Sequence, residues 1–73
     1  MDGLGIIGVG AMGGALARRL AASGMIAPQA ITLADKREEH LERLAGELGT
    51  SRAPAADLPA VSDTIIVAVK PSQ

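Results

Sequence analysis

Three glycines, Gly8, Gly10 and Gly13, join a short apolar run to a segment of helical period, and this junction limits the folds open to the chain more than any other feature. Leu4-Gly5-Ile6-Ile7-Gly8 carries β-branched residues and no charge, which predicts a strand buried on both faces. Ala11 to Ser23 predicts a helix. Met12, Leu16 and Leu20 recur at four-residue spacing, Ala15 and Ala22 lie beside them, Arg18 and Arg19 point away, and Gly24 stops the segment.

Strand and helix go on alternating. After a linker from Met25 to Gln29, broken by Pro28, Ala30 to Ala34 predicts a second strand ending at Asp35. The next helix is strongly amphipathic, with Leu41, Leu44, Ala45 and Leu48 at i, i+3, i+4 and i+7. Glu38, Glu39, Glu42, Arg43 and Glu47 take its other face, Glu39 and Arg43 are spaced for an ion pair, and Gly49 ends it. Thr50 to Ala53 predicts a short edge strand, Ala55 to Val61 a short helix despite Pro59, and Thr64 to Val69 a final strand closed by Lys70 and Pro71. This β-α-β-α-β-α-β pattern is that of an α/β, Rossmann-type parallel sheet with right-handed crossovers and expected strand order 3-2-1-4. The first two helices are expected on one face. The apolar last strand asks for cover on both faces, so residues 1–73 are expected to be the N-terminal part of a longer protein, with the sheet incomplete at the C-terminus.

Gly8-Val9-Gly10-Ala11-Met12-Gly13 is a complete G-x-G-x-x-G in the strand-to-helix position where the pattern has physical meaning. The first glycine permits the tight turn, the second lets main-chain N–H groups approach a pyrophosphate, and the third lets the helix pack close to the sheet. The free N–H groups and partial positive charge of the helix N-terminus then face the phosphates. No lysine follows the glycines, which excludes the other common phosphate loop. Asp35, at the end of the second strand, lies about where a dinucleotide fold places its ribose-reading acid; capping of the following helix is a second role open to it. Lys36 and Arg37 either hold the 2′-phosphate of NADP or are solvated first-turn residues, so NAD and NADP both stay open.

Composition removes other partners. Seven basic and eight acidic side chains leave a net charge of −1, with no basic footprint for nucleic acid or an anionic membrane. The uncharged stretch from Gly3 to Ala17 is too short and too rich in glycine to span a bilayer, and the early charge is Asp2 where an export signal needs bases. The absence of cysteine excludes a disulfide framework and a thiolate metal site, leaving a cytoplasmic location as the expectation. His40 has no partner at metal-ligand spacing and is expected to be a solvated surface residue. Met12 is expected to pack against the sheet. Ser23, Ser51, Ser62 and Ser72 belong to no nucleophile motif.

Four stretches resemble the N-terminal domain of pyrroline-5-carboxylate reductases: Ile6 to Leu16, Ala22-Ser23-Gly24, Leu44 to Gly49, and Ser62-Asp63 leading into Ala68-Val69-Lys70-Pro71. The resemblance implies NAD(P)H-dependent reduction of the C=N bond of 1-pyrroline-5-carboxylate to L-proline, in proline biosynthesis. It implies a cofactor site lined by Gly8, Val9, Gly10, Ala11, Met12, Gly13, Asp35, Lys36, Ala68, Val69, Lys70 and Pro71, with NADP the family default. It also implies a helical C-terminal domain that binds the imino-acid substrate and makes the homo-oligomer, so catalytic residues lie outside this segment. Three positions depart from the family habit: Ala11 and Ala55 stand where asparagine is common, and Asp35 replaces an Asn or Ser, which keeps NAD possible. A β-hydroxyacid dehydrogenase-like reductase shares the glycine turn, and a non-catalytic nucleotide-binding module is consistent with the short chain.

Overall fold

The computed structural model describes residues 2–69 of the chain. The elements are β1 (Leu4–Ile7), α1 (Ala11–Ser23), β2 (Ile31–Ala34), α2 (Glu38–Leu48), β3 (Ser51–Arg52), α3 (Leu58–Val61) and β4 (Thr64–Val67), with 3-10 turns at Pro28–Ala30 and Ala55–Asp57. Every strand pair is parallel and the sheet order is β3-β2-β1-β4, the expected Rossmann-type order. Leu4 is level with Ile31 and Thr64, and Ile7 with Ala34 and Val67, so the three long strands end together. The loops that follow those ends share one edge of the sheet.

Strand alternation puts Leu4, Ile6, Ile31 and Leu33 on one face, where they join Ala17 of α1 and Leu41, Leu44 and Ala45 of α2 in a single core. Complete burial of Ile6, Ile31 and Leu33 contributes about 1.5–3 kcal/mol each. The opposite face belongs to α3. A β-carbon at Gly5 would lie 2.8 Å from Leu58 Cδ2, so the missing side chain is the seat for Leu58, which is fully buried. Beyond this seat the cover stops, and Val61, Val67 and Val69 are exposed. Both long helices end on a glycine in the left-handed region, Gly24 at φ 79° and Gly49 at φ 77°. The carboxylate of Asp63 accepts the N–H groups of Asp2 (2.9 Å) and Gly3 (3.2 Å), tying the start of β1 to the start of β4.

Several expectations are corrected. β1 stops at Ile7 because Gly8, at φ +94°, turns the chain out of the sheet. β4 stops at Val67 for the same reason: after the Ala68 N–H bonds the Ile7 carbonyl (2.8 Å), β1 has no further residue to pair, and Val69 runs on alone. Ala30 belongs to the turn begun by Pro28, with its N–H on the Ala27 carbonyl, so β2 starts at Ile31. Met12 does not pack on the sheet; it is 72% exposed, because Gly13, Gly14 and Ala17 are the residues of α1 that face inward, with Leu16 and Leu20 on the flank. Glu39 and Arg43 form no ion pair, both being exposed long side chains with little to gain from ordering. The pairs formed among the described residues are Arg18–Glu47, which links α1 to α2, Arg37–Asp35 and Arg52–Glu42. No helix among them is long and apolar enough to cross a membrane.

Two glycine substitutions separate packing from propensity. A β-carbon at Gly13 would lie 1.8 Å from the Gly8 carbonyl oxygen, whereas one at Gly46 meets nothing within 4 Å. Gly13→Ala is expected to destabilise by about 3 kcal/mol, because backbone must move, and Gly46→Ala to stabilise by about 1 kcal/mol through helix propensity. Urea unfolding checks both; similar midpoints for the two variants would refute the close approach of α1 to β1.

Candidate functional site

The glycine turn is bound from below and open above. Gly8 donates its N–H to the Ala34 carbonyl (2.8 Å), the last link to β2, before its positive φ turns the chain. At Gly8 a β-carbon would lie 2.7 Å from Val69 Cγ1, and at Gly13 it would strike the Gly8 carbonyl, so both glycines answer to the protein's own packing. Gly10 differs. A β-carbon there would meet only Arg37 Nη2, at 3.5 Å, so the open space belongs to whatever approaches from outside.

Around that space the main-chain donors of Gly10, Ala11, Met12 and Gly13 have no acceptor among the described residues; the first helical bond of α1 is from the Gly14 N–H to the Gly10 carbonyl (2.7 Å). No acid stands in the first turn of α1 to neutralise its positive end. Four unpartnered donors and an uncompensated helix dipole form a cradle for an anion.

Asp35 is placed beside this turn by the end of β2. Its Oδ2 accepts the Val9 N–H (2.8 Å) and Arg37 Nη2 (2.9 Å), and its Oδ1 accepts the Arg37 N–H (2.8 Å) and Arg37 Nε (3.0 Å). The Arg37 side chain, and then the main-chain N–H groups of Arg37 and Val9, hold the carboxyl far below the ordinary carboxylate range against the opposing effect of burial. Capping of α2 is not its role, since the residue preceding that helix is Arg37 and no side chain caps it. Arg37, open to solvent or phosphate in the sequence reading, lies folded back on Asp35.

Of the residues singled out in the sequence, the structure gathers Gly8 to Gly13, Asp35, Lys36, Ala68 and Val69 at the carboxyl ends of β1, β2 and β4. A cleft of about 200 Å³ is lined by Ile7, Gly8, Asp35, Lys36, Ala55 and Val69. A second, more open one of about 370 Å³ lies over the start of α1, bordered by Gly10, Ala11, Arg18, Arg37, His40 and Leu44. Lys70 and Pro71 lie outside the described residues. His40 was expected in solvent, but it is half-buried and its Nε2 lies 2.6 Å from the Val9 carbonyl oxygen. The signal for it was its place one helical turn before Leu44, on the flank of the apolar stripe that packs toward α1.

A model of the family described as NADP oxidoreductase, coenzyme F420-dependent, matches residues 3–73. The chain belongs to this family. Comparison with curated proteins and with solved structures finds no match. This NADP oxidoreductase family includes the N-terminal domains of pyrroline-5-carboxylate reductases, and membership makes the chain an NAD(P)-dependent oxidoreductase's nucleotide-binding domain. The residues present fit a dinucleotide: the space over Gly10 that a β-carbon would enter, and the unpartnered donors that follow it, suit a pyrophosphate.

The sign of the Asp35 effect on stability follows from its lowered pKa. The unfolded carboxyl titrates near pH 4, while the native one resists protonation, so its contribution is complete above about pH 4 and is lost as the pH falls toward the native value. Asp35→Asn is expected to cost about 1–3 kcal/mol at neutral pH, because an amide offers one acceptor oxygen to the two main-chain N–H groups of Val9 and Arg37, and to flatten the loss of stability from about pH 4 to pH 2. Urea unfolding across that range is the measurement; an acid limb as steep as in the unmodified protein would assign it to other carboxylates.

Proposed function

We propose that this domain holds NADPH, in preference to NADH, for reduction of the C=N bond of a cyclic imino acid of the 1-pyrroline-5-carboxylate type, giving L-proline. The observation that carries the cofactor preference is the saturation of Asp35. A carboxylate offers about four acceptor sites, and here Val9 and Arg37 take four. Its capacity to receive two ribose hydroxyls, the basis of NAD selection, is spent inside the protein. The charge that remains outward is that of Arg37, whose side chain is 58% exposed, beside the exposed Lys36. A guanidinium braced by a buried carboxylate is suited to a phosphate monoester on the ribose.

The chemistry supplied by the bound dinucleotide is a hydride for the imine carbon. The domain's own part is to bind and orient. The turn N–H groups take the pyrophosphate, Lys36 and Arg37 take the 2′-phosphate, and Ile7, Gly8, Ala55 and Val69 wall the cleft at the strand ends. Support for the imine substrate comes from the resemblance of Ala68-Val69-Lys70-Pro71 and the glycine turn to pyrroline-5-carboxylate reductases. On this reading residues 1–73 are the cofactor domain of a cytoplasmic enzyme whose substrate pocket and homo-oligomer contacts come from a following helical domain.

Arg37→Ala is expected to reduce the ratio of NADPH to NADH affinity at least tenfold, the loss of a charge-assisted phosphate contact, and Lys36→Ala to reduce it less. Calorimetric titration of the full chain measures both, and an unchanged ratio in Arg37→Ala would overturn the assignment of the 2′-phosphate. Oxidation of NADPH by protein that carries the helical domain as well, with 1-pyrroline-5-carboxylate, a hydroxy acid's keto form and coenzyme F420 as alternative acceptors, tests the substrate. Turnover of either of the latter two without the imine would overturn the imine reading and leave the cofactor reading standing.

A further inference from the structure

We infer that His40 is a positioning residue for pyrophosphate capture, one that aims the main chain of the glycine turn; this rests on the dinucleotide-binding reading above. Val9, within the turn, is completely buried in the core, and both of its main-chain polar groups are held by residues distant in sequence. Its N–H is fixed by Asp35 (2.8 Å), and its carbonyl by His40 Nε2 (2.6 Å). A carbonyl oxygen only accepts, so Nε2 is the nitrogen that carries the donated proton.

Two consequences reach the ligand side. In a trans peptide the carbonyl and the next N–H point in opposite directions, and the chain has no cis peptide among the described residues. Holding the Val9 carbonyl against α2 therefore turns the Gly10 N–H away from α2, where no acceptor among the described residues meets it. Second, helical continuation would satisfy the Val9 carbonyl with the Gly13 N–H. His40 fills one of the two lone pairs of that acceptor; because Gly10, at ψ −147°, is the non-helical residue before α1, the first helical bond is from Gly14 to Gly10, and the Gly13 N–H stays unpartnered among the described residues. The imidazole thus fixes the peptide that presents the Gly10 N–H, beside the free Gly13 N–H at the start of the helix. Its own position is secured by α2, where His40 stands in the first turn and borders the same cleft as Gly10, Arg37 and Leu44.

The test compares two ligands on the full chain: NADPH, which has a pyrophosphate, and adenosine 2′-monophosphate, which has none. His40→Phe keeps a flat ring without the donor, and His40→Gln keeps an N–H donor. His40→Phe is expected to weaken NADPH about tenfold, the scale of one lost hydrogen bond, while the affinity for adenosine 2′-monophosphate changes less than about twofold, and His40→Gln is expected to recover most of the loss. Nitrogen-15 NMR of the unmodified protein is expected to find His40 protonated at Nε2. Equal weakening of both ligands, or none of NADPH, would overturn the inference, as would an Nδ1–H tautomer with a bare Nε2, a result that needs no variant to fold. Failure of the unmodified chain to bind NADPH would instead overturn the dinucleotide reading, with the tautomer still deciding whether His40 donates to Val9.

Discussion

The Asp35 carboxylate holds three pieces of backbone in one place: the end of β2 from which it projects, the Val9 peptide of the glycine turn, and the Arg37 N–H at the start of α2. Such a junction needs a group with several acceptors and little freedom, and a short, nearly buried acid at a strand end supplies it. Because β1 and β2 pair in register from Leu4 with Ile31 to Ile7 with Ala34, the acid arrives level with the turn without distortion of either strand. The sheet provides the alignment, and the carboxylate converts that alignment into a fixed turn geometry. The cost of burying a charge is offset because the guanidinium and two N–H groups surround it.

The fold is legible in the sequence wherever a local rule and the packing agree. Gly24 and Gly49 follow periodic segments, and each adopts the left-handed cap that only a residue without a β-carbon takes easily. The leucines of α2 sit at the spacing that buries one stripe, and they are buried. The strand ends are less legible, because a strand stops where its neighbour does: Ala68 and Val69 continue the apolar run of Ile65 and Ile66, but β1 has already turned away at Gly8. The face of α1 is misread by one position for a related reason. Glycines carry no hydrophobic signal, so a pattern built on Met12, Leu16 and Leu20 overlooks that Gly13 and Gly14 make the closest approach to the turn.

For the candidate site, residue types with a fixed motif spacing are legible and side-chain partners are not. Gly8, Gly10, Gly13 and Asp35 follow from the strand-turn-helix pattern. That Arg37 would bend back to occupy Asp35 is a side-chain choice within one loop that spacing does not reveal, and that a lone histidine would reach the Val9 carbonyl depends on the separation of α1 and α2. That distance is set by small residues such as Ala17 and Ala45 in the core between them. Two residues with opposite sequence readings, an acid favouring one cofactor and a base favouring the other, turn out to be one unit with a single outward charge.

The position of β1 at the centre of the sheet bears on the order in which the protein is made. Its register partners on one side begin at Ile31, but those on the other are Thr64 to Val67, about sixty positions downstream. During synthesis β1 leaves the ribosome before either partner and keeps one row of peptide groups unpaired until β4, about sixty positions on, has emerged. Contacts so distant along the chain close slowly, and an open apolar edge is vulnerable meanwhile. The Asp63 carboxylate, reaching back to the N–H groups of Asp2 and Gly3, acts at that late moment as the latch that sets the final strand in its place.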